Sequence, residues 1–386
     1  MTAAGARDAI LGRVMLAFDG QGLPGDVAQR LAEAPAAGCS LFRYLNVGSP
    51  GQVLELTAGF QRAAGVGTDR PLLVAADQEG GQLIGLGHGT TAFAGNMALG
   101  AVDDVALTER VGRAIGTEAR AMGVNVIYAP VLDIASNPAN PALGIRSFGD
   151  DPAAVARHGA AMVRGLQSAG VAATVKHAPG MGDISLDTHH EAAVVSASRS
   201  VLDAREFVPF RAAFATGSRM AMSGHLVLPA VTGRDDLPAT LSRAVMTDLL
   251  RGDLGFDGVT ISDALDMRAI SQGTGLARAV VDALRAGVDL LLTAADPEAR
   301  ARIEAALLEA AGAGLLEATE AAATERRLAA LRSWLGSAGA APDLAVVGGA
   351  EHAAVARELA ARSITLVRDP GGLRPLSSAT TARILA

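Results

Sequence analysis

Short runs of β-branched and other apolar residues alternate with longer Ala/Leu/Arg-rich stretches whose apolar positions recur at helical spacing, from the start of the chain to about residue 311. The short runs suit strands buried on both faces, and the long stretches carry the stripe of helices laid against a sheet. The pattern predicts strands over residues 14–17, 39–44, 71–76, 124–129, 172–176, 219–223, 258–262 and 289–293. Helices are predicted over 24–36, 52–63, 104–122, 152–169, 204–215, 243–250, 275–286 and 297–311. Eight strand–helix pairs make the count of an α/β chain closed into a (β/α)8 TIM barrel, which is the expected fold. A doubly wound open sheet is the structural alternative.

Beyond residue 312 the pattern changes. An Arg/Ala/Glu-rich helix runs to Trp334, and the small-residue segment 336–342 reads as a linker. Then come an apolar run at 344–347, a helix at 351–362 and a strand or extended connector at 363–368. The expected division is a barrel domain over 1–335 and a linker with a C-terminal extension over 336–386. So short an extension is too small to be stable alone; it must pack on the barrel or begin something longer.

Polar residues cluster where the predicted strands end. Asp77-Gln78-Glu79 follows the third strand, Lys176-His177 ends the fifth, His225 follows the sixth and Asp263 the seventh. In a barrel these ends converge on the face that carries the active site. Any one of them alone reads equally well as a helix cap or a loop polar group.

Composition narrows the class. Half of the 386 residues are apolar, enough for a large core, and a net charge of −7 with no basic run argues against nucleic acid or an anionic membrane as partner. A small molecule is the expected ligand. The single cysteine, Cys39, forms no internal disulfide, the first ten residues hold no signal-peptide core, and no apolar run approaches a membrane span. The expectation is a soluble protein, cytoplasmic or stripped of an export signal. Lys176 is the only lysine in a chain rich in arginine. Such a survivor marks a position that needs a compact, point-like ammonium.

Four of the seven histidines, His177, His189, His190 and His225, fall in one region with Asp183 and Asp187. No HExxH or His-x-His spacing places metal ligands on a single element, so no metal or cofactor is expected. Acid/base chemistry is the alternative. In Asp187-Thr188-His189 a carboxylate two residues from an imidazole can face the same way on an extended loop and fix its tautomer. Asp263, after an apolar strand, is the candidate nucleophile or electrostatic stabiliser, with a helix cap as the plain reading.

Together these segments carry a resemblance. Lys-His-Ala-Pro-Gly-Met-Gly-Asp at 176–183 with Asp-Thr-His at 187–189, Ser-Asp-Ala-Leu-Asp-Met at 262–267, Asp-Gln-Glu-Gly-Gly at 77–81 and Ala-Pro-Val-Leu-Asp at 129–133 leading to Arg-Ser-Phe-Gly at 146–149 resemble the bacterial β-N-acetylglucosaminidases of glycoside hydrolase family 3. The tail is similar to the connector that leads into a second, sandwich-like domain in longer members. The resemblance implies an exo-acting retaining mechanism on terminal N-acetylglucosamine, in a peptidoglycan or a chitin fragment. Asp263 would be the nucleophile and His189, oriented by Asp187, the general acid/base. Asp77, Arg146, Lys176 and His177 would hold sugar hydroxyls, with His225 as support behind them.

The chain departs from that pattern at Gln82 and Gly85, where arginines are common, at Ala178, where Phe is frequent, and at Met181, where His or Arg is frequent. The alternatives left open are a β-N-acetylglucosaminide phosphorylase or β-glucosidase of the same family, a metal-dependent barrel hydrolase, and a sugar-binding barrel without catalysis.

Overall fold

The computed structural model describes residues 3–34, 36–67, 70–87, 89–185, 193–265, 270, 275–293 and 295–368. Its centre is a parallel barrel of eight strands: β1 (Val14–Leu16), β2 (Gly38–Leu41), β3 (Leu73–Ala76), β4 (Val126–Ile127), β5 (Ala172–Ala178), β6 (Met220–Ser223), β7 (Val259–Ser262) and β8 (Leu291–Leu292). From β1 to β7 each strand pairs with the next in sequence, β8 pairs back onto β1 through Val14–Leu291 and Met15–Leu292, and a single parallel bridge, Ile261–Leu290, links β7 to the approach to β8. Ser262 N donates to Leu290 O at 2.9 Å and Leu290 N to Thr260 O at 2.9 Å, closing the seam between β7 and β8.

Alternation along the strands sorts the side chains into two cores. Met15, Leu73, Ala75, Val126, Tyr128, Ala172, Met220, Met222, Val259 and Ile261 fill the barrel. Their neighbours Val14, Leu16, Val74, Ala76, Ile127, Ala173 and Ala221 face the helices. This is why the strands read as unbroken apolar runs. Leu328, Leu331 and Leu335 of the helix Ala318–Gly336 join the inner core. They plug the barrel end at which the strands begin. There the fully buried Asp289 accepts from Arg251 and Arg327, each at 2.7 Å, and from Thr324 Oγ1 at 2.7 Å.

The predicted strands overshoot at several places, 39–44, 124–129 and 289–293 most of all. The run 39–44 stops at Leu41 because the Asn46 side chain turns the chain into the short helix Arg43–Asn46. Its Oδ1 accepts from Phe42 N at 2.9 Å and its Nδ2 donates to Phe18 O at 2.9 Å. In 124–129 the regular strand is Val126–Ile127, flanked by the backbone bonds Asn125 N to Val74 O at 3.0 Å and Tyr128 N to Ala76 O at 2.9 Å, and the Asn125 side chain adds bonds from Val74 N at 2.8 Å and to Leu72 O at 2.9 Å. Several helix starts are sharp for the reason the sequence shows. Asp104, Asp151 and Asp296 each accept two backbone N–H bonds at the first turns of Val105–Ala121, Pro152–Ser168 and Pro297–Gly312.

The extension packs on the barrel. Its helix Ala350–Arg362 meets Val105–Ala121 through Arg110–Glu358 at 2.8 Å and through His352 to Glu118 at 2.8 Å. Residues 363–368 form neither helix nor strand, and Ile364 and Val367 are exposed.

Candidate active site

At the mouth of the barrel, charged side chains carried by separate strands converge. Asp77 and Glu79 follow β3 at the start of a hairpin that pairs Gln78–Gly80 with Leu83–Ile84, Asp133 and Arg146 lie in the connection after β4, Lys176 and His177 are in β5, and Asp263 follows β7. The Lys176 ammonium pairs with Asp77 and lies 2.6 Å from Glu79 Oε1. Arg146 grips the same Glu79 with two bonds, 2.9 and 2.8 Å, in the fork geometry that suits a carboxylate. Burial alone would raise the Glu79 carboxyl, but Lys176 and Arg146 outweigh it and hold it at about 2. Burial works against the Lys176 charge too; Asp77 and Glu79 overcome it and raise the ammonium above its ordinary value.

His177 is fixed from the other side. Its Nδ1 is 2.6 Å from Asp133 Oδ2, and its Nε2 lies 3.5 Å from Arg146. Asp133, fully buried, also accepts from Met181 N at 2.8 Å. One carboxylate therefore orients the His177 ring and anchors the Gly-rich turn that follows it. Asp263 N donates to Ser223 O at 3.2 Å, and Asp263 Oδ1 accepts from Ala264 N at 2.8 Å. Burial pushes the Asp263 carboxyl up, but His177, His225, the Ala264 N–H and Lys176 reverse this and leave it below the usual carboxylate range. The buried His225 bridges Thr240 Oγ1 at 2.8 Å and Ala264 O at 3.0 Å, steadying the backbone beside Asp263.

The structure thus brings together Asp77, Arg146, Lys176, His177, His225 and Asp263. Asp187, His189 and His190 lie outside the described residues, as do Asp266 and Met267. Asp133 and Glu79 carry no assigned role in the sequence, although both stand in the motifs above; a lone acid inside Val-Leu-Asp-Ile is the available signal for Asp133. Glu206 stands in none of those motifs. That carboxyl, 1% exposed, lies against Gly180, is held by Arg205 Nε at 2.7 Å, and has an Oε2 without a hydrogen-bond partner among the described residues. Burial pushes it up to about 7, with Arg205 opposing and Asp133 and Asp183 adding to the shift.

Two departures from the motif now have reasons. A Cβ on Gly85 would sit 1.9 Å from Asp77 O, to which Gly85 N donates at 2.6 Å, so no side chain fits there. Met181 is buried in the helix-facing core, where a charged side chain would lose its solvation.

The interlocked carboxylates, guanidinium, ammonium and imidazole at the strand ends of this parallel barrel occupy the face on which (β/α)8 barrels carry their functional sites. Residues 27–331 match the N-terminal domain of glycosyl hydrolase family 3, and the chain belongs to that family. A beta-hexosaminidase A of Pseudoalteromonas piscicida is 33% identical over 375 residues, 91% of this chain and 62% of that protein. A protein of Cellulomonas fimi named beta-N-acetylglucosaminidase/beta-glucosidase is 35% identical over 89% of this chain and 63% of its own length. The solved family 3 beta-N-acetylglucosaminidase of Paenibacillus sp. str. FPU-7 superposes with a TM-score of 0.89 at 40% identity, covering 95% of this chain and 70% of that one. The chain therefore spans under two thirds of the first two relatives. No helix among the described residues is long and apolar enough to cross a membrane.

Proposed function

We propose that the chain is an exo-acting retaining β-N-acetylglucosaminidase that removes terminal β-linked N-acetylglucosamine from an oligosaccharide. The observation that carries this reading is Asp263, a carboxylate kept ionised beside His177 and Lys176 at the end of an apolar strand. The names borne by the relatives support the sugar.

In this reading an Asp263 oxygen bonds to the anomeric carbon as the glycosidic C–O bond breaks. The leaving oxygen takes a proton from His189, whose ring Asp187 orients. Water then returns that proton to His189 as its oxygen displaces Asp263. An imidazole titrating near 6.5 needs no large upward shift to act as an acid beside an anionic nucleophile, whereas a carboxylic acid does. Asp77, Arg146, Lys176 and His177 hold the hydroxyls of the ring through charge-assisted hydrogen bonds.

The β-glucosidase reading comes second, favoured by the double name of the Cellulomonas relative. The test is release of 4-nitrophenol from gluco, galacto and N-acetylglucosamino aryl glycosides, with and without phosphate and a chelator. The N-acetylglucosaminide is the expected substrate in water alone. Asp263→Ala should lower kcat/KM by about three orders of magnitude or more, and azide should restore turnover to His189→Gly. Wild-type-like kinetics in Asp263→Ala would end this assignment, as would loss of activity to the chelator with recovery on adding zinc.

A further inference from the structure

We propose that His352, in the C-terminal extension, is a positioning residue that holds the hairpin carrying Asp77 and Glu79 in its ligand-binding shape. The inference rests on the reading above for what Asp77 does there. The connecting group is Glu118, buried on the helix Val105–Ala121. Its Oε2 accepts from Thr91 N at 2.8 Å, and its Oε1 accepts from Thr91 Oγ1 at 2.5 Å, Gly348 N at 3.1 Å and His352 Nδ1 at 2.8 Å. One carboxylate thus fastens three separate parts of the chain: a barrel helix, the far end of the hairpin loop, and the extension.

From Thr91 the bonds lead straight to the mouth of the barrel. Gln78 lies between Asp77 and Glu79, and its side chain reaches across the hairpin, accepting from Leu86 N at 2.9 Å and donating to Thr90 Oγ1 at 3.4 Å. Asp77 O accepts from Gly85 N at 2.6 Å, and Gly81 N donates to Phe93 O at 2.9 Å. The extension also touches this loop directly, because a Cβ on Gly348 would lie 2.5 Å from Gly89 O. A buried carboxylate that loses one of its donors keeps the cost of desolvation without the bond, so the remaining bonds to Thr91 must shift to compensate. His352 therefore acts on Asp77 and Glu79 through Glu118, Thr91 and Gln78, without touching the ligand.

The experiment combines hydrogen–deuterium exchange with kinetics on the full chain. In His352→Ala the peptide over 78–91 should exchange on the order of tenfold faster, and KM for the aryl N-acetylglucosaminide should rise about fivefold with a smaller change in kcat. His352→Asn, whose Nδ2 takes the place of the ring Nδ1, should restore both. Glu358→Ala, which loosens the same helix by breaking Arg110–Glu358 while leaving Glu118 untouched, should change neither. If His352→Ala does not fold, Glu118→Gln provides the same local readout.

Faster exchange confined to 344–362 with KM unchanged would overturn the proposal, and so would an Asn variant that behaves like Ala. If the unsubstituted chain turns over no aryl glycoside, the function above fails, while exchange over 78–91 still decides the role of His352.

Discussion

Glu206 shows what the barrel mouth costs at the level of a single side chain. Its carboxyl is raised from 4.5 to about 7, so between those values the folded chain keeps a proton that the unfolded chain has released. Stability from this group is therefore complete below about pH 4.5 and is lost as pH rises toward 7, by on the order of 3 kcal/mol. Glu206→Gln should flatten that dependence and be the more stable protein at pH 8. Urea denaturation of both proteins at pH 5 and pH 8 measures it, and a variant with the wild-type pH dependence refutes the assignment. Neither Glu206 nor its partner Arg205 was legible in the sequence, because an Arg-Glu pair in the first turn of the predicted helix 204–215 reads as solvated surface. Asp263 and Lys176 were legible because several charges fall together at the ends of apolar strands and Lys176 is the only lysine, although each alone reads equally well as a cap or loop group. The structure adds that Lys176 is met by two carboxylates, a pairing that depends on distances between strands far apart in sequence.

Among the elements, helix starts were clearest in the sequence, since an Asp cap before a first turn is a local signal. Strand ends were not: Asn46, which turns the chain after β2, is fixed by Phe18 O, a backbone group that only the fold brings near. In the proposed function the hairpin after β3 holds the sugar through Asp77, and its shape rests on Gly85. Gly85→Ala forces the backbone away from Asp77 O, at a cost of about 1–3 kcal/mol by the measure of overpacked sites. The expected outcome is a lower melting temperature together with a raised KM, whereas Gln82→Ala, at an exposed position, should leave the melting temperature alone. Equal melting temperatures and equal KM for Gly85→Ala and the wild type would show that the hairpin has room there.

At the scale of the whole molecule, counting strand–helix pairs was enough to anticipate the barrel, because its rule is local alternation repeated eight times. The sequence did not reveal that the helix Ala318–Gly336 plugs the barrel end, since its leucine stripe would suit any helix on a sheet. It also left the extension between two fates, and Glu118 fastens it to the barrel. The burial of Lys176 also governs how the molecule meets covalent reagents. With a single lysine, 2% exposed and doubly paired, the folded chain offers amine-directed esters and aldehydes no free side-chain target. Acylation at 176 should follow the population of opened molecules, rising with denaturant along the unfolding curve, as mass spectrometry of the labelled chain would show. Rapid labelling without denaturant would mean the ammonium is reachable. If it is not, one residue makes the protein its own unfolding gauge, and lysine-based cross-linking or immobilisation will select the molecules that have lost their structure.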